Sequence, residues 1–304
     1  MRWTKNYVKK SLISYVFLLP VFIGMAVFAV YPIAMSLIYS FTDFNGSFAT
    51  QIGVFNYVTM FDMSPGGQFF EIFNSFAVTF IYVIGSTLLN MVLSYILALF
   101  LKKEIPGIRV IRMLCYLPVL IPGFVSGFVW GKIFAYNAEG IGNGIINSWL
   151  MRMGLPTLTF FASSQTSLIT LILTNLWTIG GGMIMLLAAF ANISPEYYEA
   201  SKIDGAGYFK QLFYITIPMS TPILFYNVVV SIISGLQIFA TMAAYGTGME
   251  DSLYFIAIRI YRTAFTGSNN YGLACAEGYL LFLIIALLSL VMFKFNGWVH
   301  YGDE

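Results

Sequence analysis

The chain alternates between long apolar stretches and shorter segments that carry most of its charges. Six stretches hold apolar cores, near 13–41, 73–101, 113–135, 166–190, 215–240 and 274–295. A helix needs about 20 largely apolar residues to cross the hydrocarbon layer of a bilayer. The pattern therefore predicts an all-α integral membrane protein with about six transmembrane helices.

The first apolar stretch differs from a cleaved signal peptide. It is about twice as long as the 7–15 apolar residues of a signal-peptide core, and no small-residue cleavage site follows it. We therefore expect it to be retained as the first helix.

Composition agrees with a membrane protein and excludes an ordinary soluble one. Hydrophobic residues make up 59% of the 304 residues and charged residues 9%, whereas a soluble domain has about 25% charged residues. The net charge of +2 gives no support to nucleic-acid binding.

Positive charges are spread unevenly over the connecting segments. With a cytoplasmic N-terminus, eleven lie inside: Arg2, Lys5, Lys9, Lys10, Lys102, Lys103, Arg109, Arg112, Lys202, Lys210 and Lys294. Four lie outside: Lys132, Arg152, Arg259 and Arg262. Short cytoplasmic loops are enriched in Lys and Arg, so both termini are predicted to be cytoplasmic.

The cytoplasmic segment 192–216 is unlike the other loops. Ser194 is a favourable N-cap and Pro195 suits the first helical position. These signals predict a short helix to about Asp204, followed by a sharp turn with positive φ at Gly205 and Gly207. A second amphipathic stretch is predicted next, from Phe209, Leu212 and Phe213 on one side and Lys210 and Gln211 on the other.

Physical chemistry leaves two interpretations of this segment open. It is either a connector folded against its own helices or a projection that docks a soluble partner. In the second case Glu199 supplies a charge, Gly205 the bend, and Tyr197, Tyr198 and Ala200 a contact face.

The same segment resembles the EAA motif of ABC importer permeases, in the carbohydrate-type form E-A-A-x-x-D-G-A…F…I-x-P. The matching positions are Glu199-Ala200-Ser201, Asp204-Gly205-Ala206, Phe213, Ile217 and Pro218. Ser201 replaces the third small residue of the motif, and Ile217 stands directly before Pro218, although Ile215 keeps the spaced relation.

The resemblance to maltose-permease-like subunits extends over nearly the whole chain. Further matches are Pro20, Tyr31-Pro32 and Ser40-Phe41-Thr42-Asp43 in the first span, the stretch 53–61, Tyr116-Leu117-Pro118, and Gly246-Thr247-Gly248. The chain departs from the family at Glu277, where small residues are usual.

The resemblance implies a type I ABC importer transmembrane-domain fold with a cytoplasmic coupling helix. It divides the chain into an N-terminal segment, first helix and outer loop at 1–72, a five-helix core at 73–295 with a coupling loop at 192–216, and a cytoplasmic tail at 296–304. It also implies a bacterial cell membrane location, a second homologous permease subunit, two ATP-binding cassette subunits and an extracellular solute-binding protein. The ATPase would dock on loop 194–213 through Tyr198, Glu199, Ala200, Ser201, Asp204, Gly205 and Ala206.

The sequence contains no phosphate-binding loop of the form G-x-x-x-x-G-K-[ST]. Gly131-Lys132 is followed by Ile133 and lacks the preceding glycine. We therefore expect no enzymatic activity and no cofactor in this chain, with ATP hydrolysed by partner subunits.

Other classes of protein fit the sequence less well. A secondary transporter or channel usually carries ionisable groups at the membrane midplane, whereas here Glu277 alone intrudes, and we interpret it as an interfacial or paired carboxylate. A membrane enzyme has no support, since His300 is the single histidine and lies in the tail. Cys115 and Cys275 lack metal-ligand spacing and are interpreted as small buried hydrophobes.

Polar residues within two spans are the candidate substrate contacts. Asn227, Ser231 and Ser234 recur on one helical face of the fifth span. In the fourth span, Thr174, Trp177 and Thr178 are predicted to share a face, with Asn175 alongside.

These residues suit a sugar, because amides and hydroxyls match its hydroxyls and an indole ring can stack on it. Helix–helix packing explains them equally well on the sequence alone. The resemblance favours the sugar, because related permeases bind substrate on corresponding faces. The absence of mid-span cations favours a neutral oligosaccharide over a glycerol phosphate.

Overall fold

The computed structural model describes residues 5–136, 142–239, 245–266 and 269–299. Arg2, residues 300–304 with His300, residue 240 of the fifth predicted span, and parts of the second and third outer loops lie outside these ranges. Within them the chain is built from helices and loops, with isolated bridges at Thr42–Ile52 and Tyr136–Gly142.

The helices are numbered in chain order. They are α1 Lys5–Met25, α2 Tyr31–Ser40, α3 Phe55–Met60, α4 Phe69–Leu101, α5 Ile108–Tyr116, α6 Gly123–Ile133, α7 Ile145–Arg152, α8 Ser164–Asn175, α9 Gly180–Ala191, α10 Pro195–Ile203, α11 Tyr208–Gln211, α12 Ile217–Leu236, α13 Ile256–Phe265 and α14 Tyr271–Lys294. π-helical turns at Ala26–Val30 and Leu212–Thr216 join α1 to α2 and α11 to α12.

Four of the six predicted spans are single helices long and apolar enough to cross a membrane: Tyr15–Ser40, Phe69–Leu101, Tyr208–Leu236 and Tyr271–Lys294. The other two, predicted near 113–135 and 166–190, are bent helix pairs. The described residues thus contain four spans, or six if each bent pair is one span.

Proline explains the sharper of the two bends. Ile108–Leu120 and Gly123–Ile133 meet at 96°, and the break lies at Ile121-Pro122. A residue before proline is pushed out of the helical region, and Ile121 is accordingly extended, with φ −78° and ψ 122°. The second bend is 45°, between Thr178 and Gly180.

The chain forms two compact units. The first comprises Met1–Phe69 and Ile260–Leu280. In it the Asn56 side-chain amide donates to the carbonyl oxygens of Ser40 and Thr42 at 2.9 and 2.8 Å. Glu277 is fully buried and accepts a hydrogen bond from the Thr263 hydroxyl at 3.3 Å, so this carboxylate has a partner within the protein.

The second unit comprises Phe70–Arg259 and Leu281–Glu304. Its main apolar cluster joins α4, α9 and α12 through Ala98, Met183, Leu186, Phe190 and Leu224. The predicted buried thiol Cys115 packs against this cluster but is only half-buried, and Cys275, in the first unit, is half-buried as well.

A glycine allows a close contact between two helices in the second unit. A Cβ atom on Gly180 would lie 2.0 Å from the carbonyl oxygen of Cys115 and 2.9 Å from the Cα of Tyr116. The start of α9 therefore rests directly on the backbone of α5.

Candidate functional site

A cavity of about 480 Å³, with an uncharged lining of polar and apolar side chains, lies within the second unit. Its walls come from α4, the α8–α9 pair and α12. Its polar lining consists of hydroxyl and amide side chains: Tyr82, Ser86, Thr87, Asn90, Ser94, Asn175, Thr178, Asn227, Ser231 and Ser234. Among the described residues, no charged side chain lines this cavity.

The polar face predicted on the fifth span is present. Asn227, Ser231 and Ser234 of α12 all line the cavity. The buried amide nitrogen of Asn227 has no hydrogen-bond partner among the described residues. A buried donor without a partner is costly, and Asn227 is the lining residue that carries one.

The α8–α9 wall is held in place by internal hydrogen bonds. Asn175 donates through Nδ2 to the Tyr82 hydroxyl at 2.6 Å. The Thr178 hydroxyl donates to the Asn175 carbonyl oxygen at 2.8 Å. On the facing helix α4, the Ser94 hydroxyl donates to the carbonyl oxygen of Ile179 at 2.9 Å. This carbonyl group, at the bend between α8 and α9, therefore has a hydrogen-bond partner.

Thr174 and Trp177 lie elsewhere, so the predicted common face with Thr178 was wrong. Thr174 lines a different cavity, of about 280 Å³, and its hydroxyl donates to the Leu171 carbonyl oxygen. The Trp177 ring packs edge-on against Trp130, with centroids 5.2 Å apart. The 3₁₀ segment Leu176–Thr178 and the 45° bend change the angular spacing on which the prediction relied.

Sequence analysis did not identify the wall of the cavity that α4 forms. Ser86, Asn90 and Ser94 of α4 line the cavity at intervals of four residues. That spacing places them on one helical face, so the same pattern that singled out Asn227 and Ser231 also marks α4.

The loop between the fourth and fifth spans contains the predicted short helix. It runs from Pro195 to Ile203, with Ser194 at the N-cap position, although the Ser194 side chain makes no capping hydrogen bond. Gly205 has the expected positive φ, +75°. Gly207 does not, because it is extended at φ −72° and ψ 173°, so a single glycine makes the turn.

The second predicted stretch of the loop is not a separate helix. It is the first part of one helix over Tyr208–Leu236. Pro218 stands in the first turn of α12 and Pro222 lies inside it. The π-helical turn Leu212–Thr216 precedes both prolines, and such a turn absorbs an irregularity in the helix.

Side chains of the loop attach α10 to the spans. The Tyr198 hydroxyl lies 3.0 Å from the Thr216 hydroxyl and accepts a hydrogen bond from Lys102 Nζ at 3.2 Å. Gln211 Nε2 donates to the Ser201 hydroxyl at 3.0 Å. Tyr198 thus faces the spans, and its predicted place on an outer contact face was wrong.

The opposite side of α10 is exposed. Tyr197, Glu199 and Ala200 are exposed there, and Ile203 is 88% exposed. Phe209 of α11 is exposed as well. Apolar side chains grouped on a surface are typical of an interaction site, and Ile203 and Phe209 were not among the predicted contacts.

Comparison with known proteins identifies relatives over the full length. Residues 93–300 match the family model described as "Binding-protein-dependent transport system inner membrane component". The chain is 32% identical to the probable ABC transporter permease protein YesP of Bacillus subtilis, over 100% of this chain and 97% of YesP. It is 24% identical to the arabinooligosaccharides transport system permease protein AraP of Halalkalibacterium halodurans, over 97% and 91% of the two chains.

The fold is similar to that of a solved transporter subunit. A bacterial alginate ABC transporter, crystallised with an alginate pentasaccharide-bound periplasmic protein, contains a chain that superposes with a TM-score of 0.78. The match covers 94% of both chains at 21% sequence identity. The predicted type I importer transmembrane fold is confirmed.

Proposed function

The chain belongs to the binding-protein-dependent transport system inner membrane component family, and on that premise we propose that it forms half of the translocation pathway of an ATP-driven importer for a sugar or oligosaccharide. The uncharged cavity carries this proposal, because the amide and hydroxyl groups in its lining can pair with sugar hydroxyls. Relatives named for arabinooligosaccharide, lactose and multiple-sugar transport support it.

The lining favours a neutral substrate. A glycerol phosphate or an acidic sugar would need cations to offset its charge, and the described lining has none. The solved neighbour is crystallised with alginate, an acidic polysaccharide, so we propose that the substrate of this chain differs from it in charge.

The uncharged cavity does not favour a secondary transporter, and the family does not favour an enzyme. A proton-coupled carrier needs a titratable group in its pathway, and hydroxyls and amides do not titrate near neutral pH. The family is a transporter permease component, so we assign this chain no enzymatic activity.

The remaining parts of the importer would be separate chains. We propose that a second homologous permease subunit completes the pathway, that an extracellular solute-binding protein delivers the sugar, and that two ATP-binding cassette subunits hydrolyse ATP. Loop 194–213 is the proposed contact with the ATPase. Its exposed apolar side chains Tyr197, Ile203 and Phe209 support that role.

The substrate role of Asn227 is tested by Asn227→Ala with Asn175→Ala as control. The amide nitrogen of Asn227 has no hydrogen-bond partner among the described residues, so Asn227→Ala should not lower the melting temperature of the assembly. Loss of a hydrogen bond to sugar should weaken the apparent affinity by about 0.5–1.5 kcal/mol, or roughly two- to tenfold. The measurement is uptake kinetics beside a melting curve.

The control distinguishes packing from binding. Asn175 holds Tyr82 and Thr178, so Asn175→Ala should lower the melting temperature. A stable Asn227→Ala assembly with unaltered half-saturation would remove Asn227 from the binding site.

Topology is tested by cysteine labelling in intact cells. We propose that both termini and loop 194–213 are cytoplasmic. Ile203 and Asn143 are both exposed, so Ile203→Cys and Asn143→Cys are matched probes once Cys115 and Cys275 are replaced. An impermeant thiol reagent should label Asn143→Cys alone, and labelling of Ile203→Cys in sealed cells would reverse the orientation.

A further inference from the structure

A basic cavity of about 350 Å³ lies behind α10, where the end of α4 meets the start of the helix at Tyr208. Three lysines from two separate elements line it, namely Lys102, Lys103 and Lys202. Leu99 and Leu212 form part of its wall. It is separate from the uncharged cavity and shares no lining residue with it.

The positive charge of the basic cavity is not compensated within the described residues. No carboxylate lines it, and neither Lys103 nor Lys202 forms an ion pair there. The neighbouring Glu104 is engaged by Arg112 at 2.9 Å. Like charges held close together repel, so this arrangement favours a bound anion.

Helix dipoles account for only part of this charge. Lys102 and Lys103 follow the last residue of α4, and Lys202 stands in the last turn of α10. Each helix C-terminus contributes roughly half a negative charge. Two such ends offset about one of the three positive charges, and roughly two remain.

One of the lysines is already oriented by the structure. Lys102 Nζ lies 4.5 Å from the centre of the Tyr198 ring and donates to the Tyr198 hydroxyl. Its position is therefore fixed, while the exposed ammonium groups of Lys103 and Lys202 are free to turn toward a ligand. Lysine ammonium groups bind phosphate as point charges.

We propose that the basic cavity binds a phosphate group, carried by an anionic lipid headgroup or by a free phosphate ester. The residual charge suffices for the single negative charge of a lipid phosphodiester and for the charge of about −1.5 to −2 on a phosphate monoester. Basic pockets between helices at the cytoplasmic side of a membrane are suited to phosphorylated headgroups. This site goes beyond the proposed transport function, since it needs neither sugar nor ATP.

A bound phosphate would strengthen the attachment of α10 to the spans. Tyr198 and Gln211, which hold α10 to the spans, also line the basic cavity. A bound anion offsets the repulsion between Lys202 on α10 and the lysine pair after α4. Occupancy therefore stabilises α10 against the spans.

The test uses the purified permease assembly in nanodiscs of phosphatidylcholine, with and without phosphatidylglycerol. Native mass spectrometry counts the retained phosphatidylglycerol. A second arm adds inorganic phosphate to phosphatidylcholine nanodiscs at constant ionic strength and measures the melting temperature. The variants are Lys103→Gln with Lys202→Gln, the charge-preserving Lys103→Arg with Lys202→Arg, and the control Lys210→Gln, which is exposed in the same loop but does not line the basic cavity.

Each lysine removed should weaken phosphatidylglycerol or phosphate binding by roughly fivefold, and the arginine pair should retain it. Lys210→Gln should behave as the wild type. A response in the lipid arm alone identifies a headgroup as the ligand, and a response to inorganic phosphate identifies the free anion. The proposal is overturned if the glutamine pair responds as the wild type does, or if the wild type responds in neither arm. If the pair does not assemble, Lys103→Gln alone decides the comparison.

Discussion

Gly180→Ala is expected to lower the yield and melting temperature of the assembly, while Gly181→Ala should be tolerated. The new methyl group at position 180 would lie 2.0 Å from the Cys115 carbonyl oxygen and 2.7 Å from its carbon. These are backbone atoms and cannot rotate away, so α5 and α9 must separate. Overpacking of this kind costs about 1–3 kcal/mol or more.

The neighbouring glycine provides a matched control. A methyl group at Gly181 would meet Val119 at 3.7 Å, an ordinary contact. Both changes raise helix propensity equally. Any difference in stability between the two variants therefore comes from the close contact at position 180. The measurement is the yield and melting temperature of the detergent-solubilised assembly. A Gly180→Ala protein that melts like the wild type would contradict the close packing of α5 against α9.

Gly205→Val is expected to uncouple transport from ATP hydrolysis without preventing membrane insertion. Gly205 has a φ of +75°, and an added Cβ would meet nothing within 4 Å. The cost is therefore conformational, about 1–2 kcal/mol for a residue with a side chain. That corresponds to roughly five- to thirtyfold fewer loops in the docking-competent conformation.

Gly207→Val is the control for this change. Gly207 is equally open but extended, a conformation that valine adopts readily. Substrate-stimulated ATP hydrolysis and co-purification with the ATPase should be lost in Gly205→Val and retained in Gly207→Val. Normal transport by Gly205→Val would contradict a docking role for the loop.

Local sequence signals predicted local structure well. The helix Pro195–Ile203 and the positive φ of Gly205 follow from residue types at adjacent positions. The stripe of Asn227, Ser231 and Ser234 lines one cavity because α12 is regular over those residues. Proline at position 122 also marks the break after Ile121, although the apolar count alone treated 113–135 as one helix.

The same signals failed where distant segments decide the outcome. Tyr198 appeared suited to an outer contact face, but Lys102 and Thr216 hold it against the spans. Thr174 and Trp177 do not lie on the predicted face, because the helix bends between α8 and α9.

The sequence by itself determined that this is a membrane protein, where its apolar spans lie, and that one loop resembles the EAA motif. Those properties depend on apolar length and on the order of neighbouring residues. Only the tertiary structure decided that Ser86, Asn90 and Ser94 complete the uncharged cavity, and that three lysines meet behind α10. The physical reason is that a cavity is made by side chains from separate helices, and their distances are set by packing.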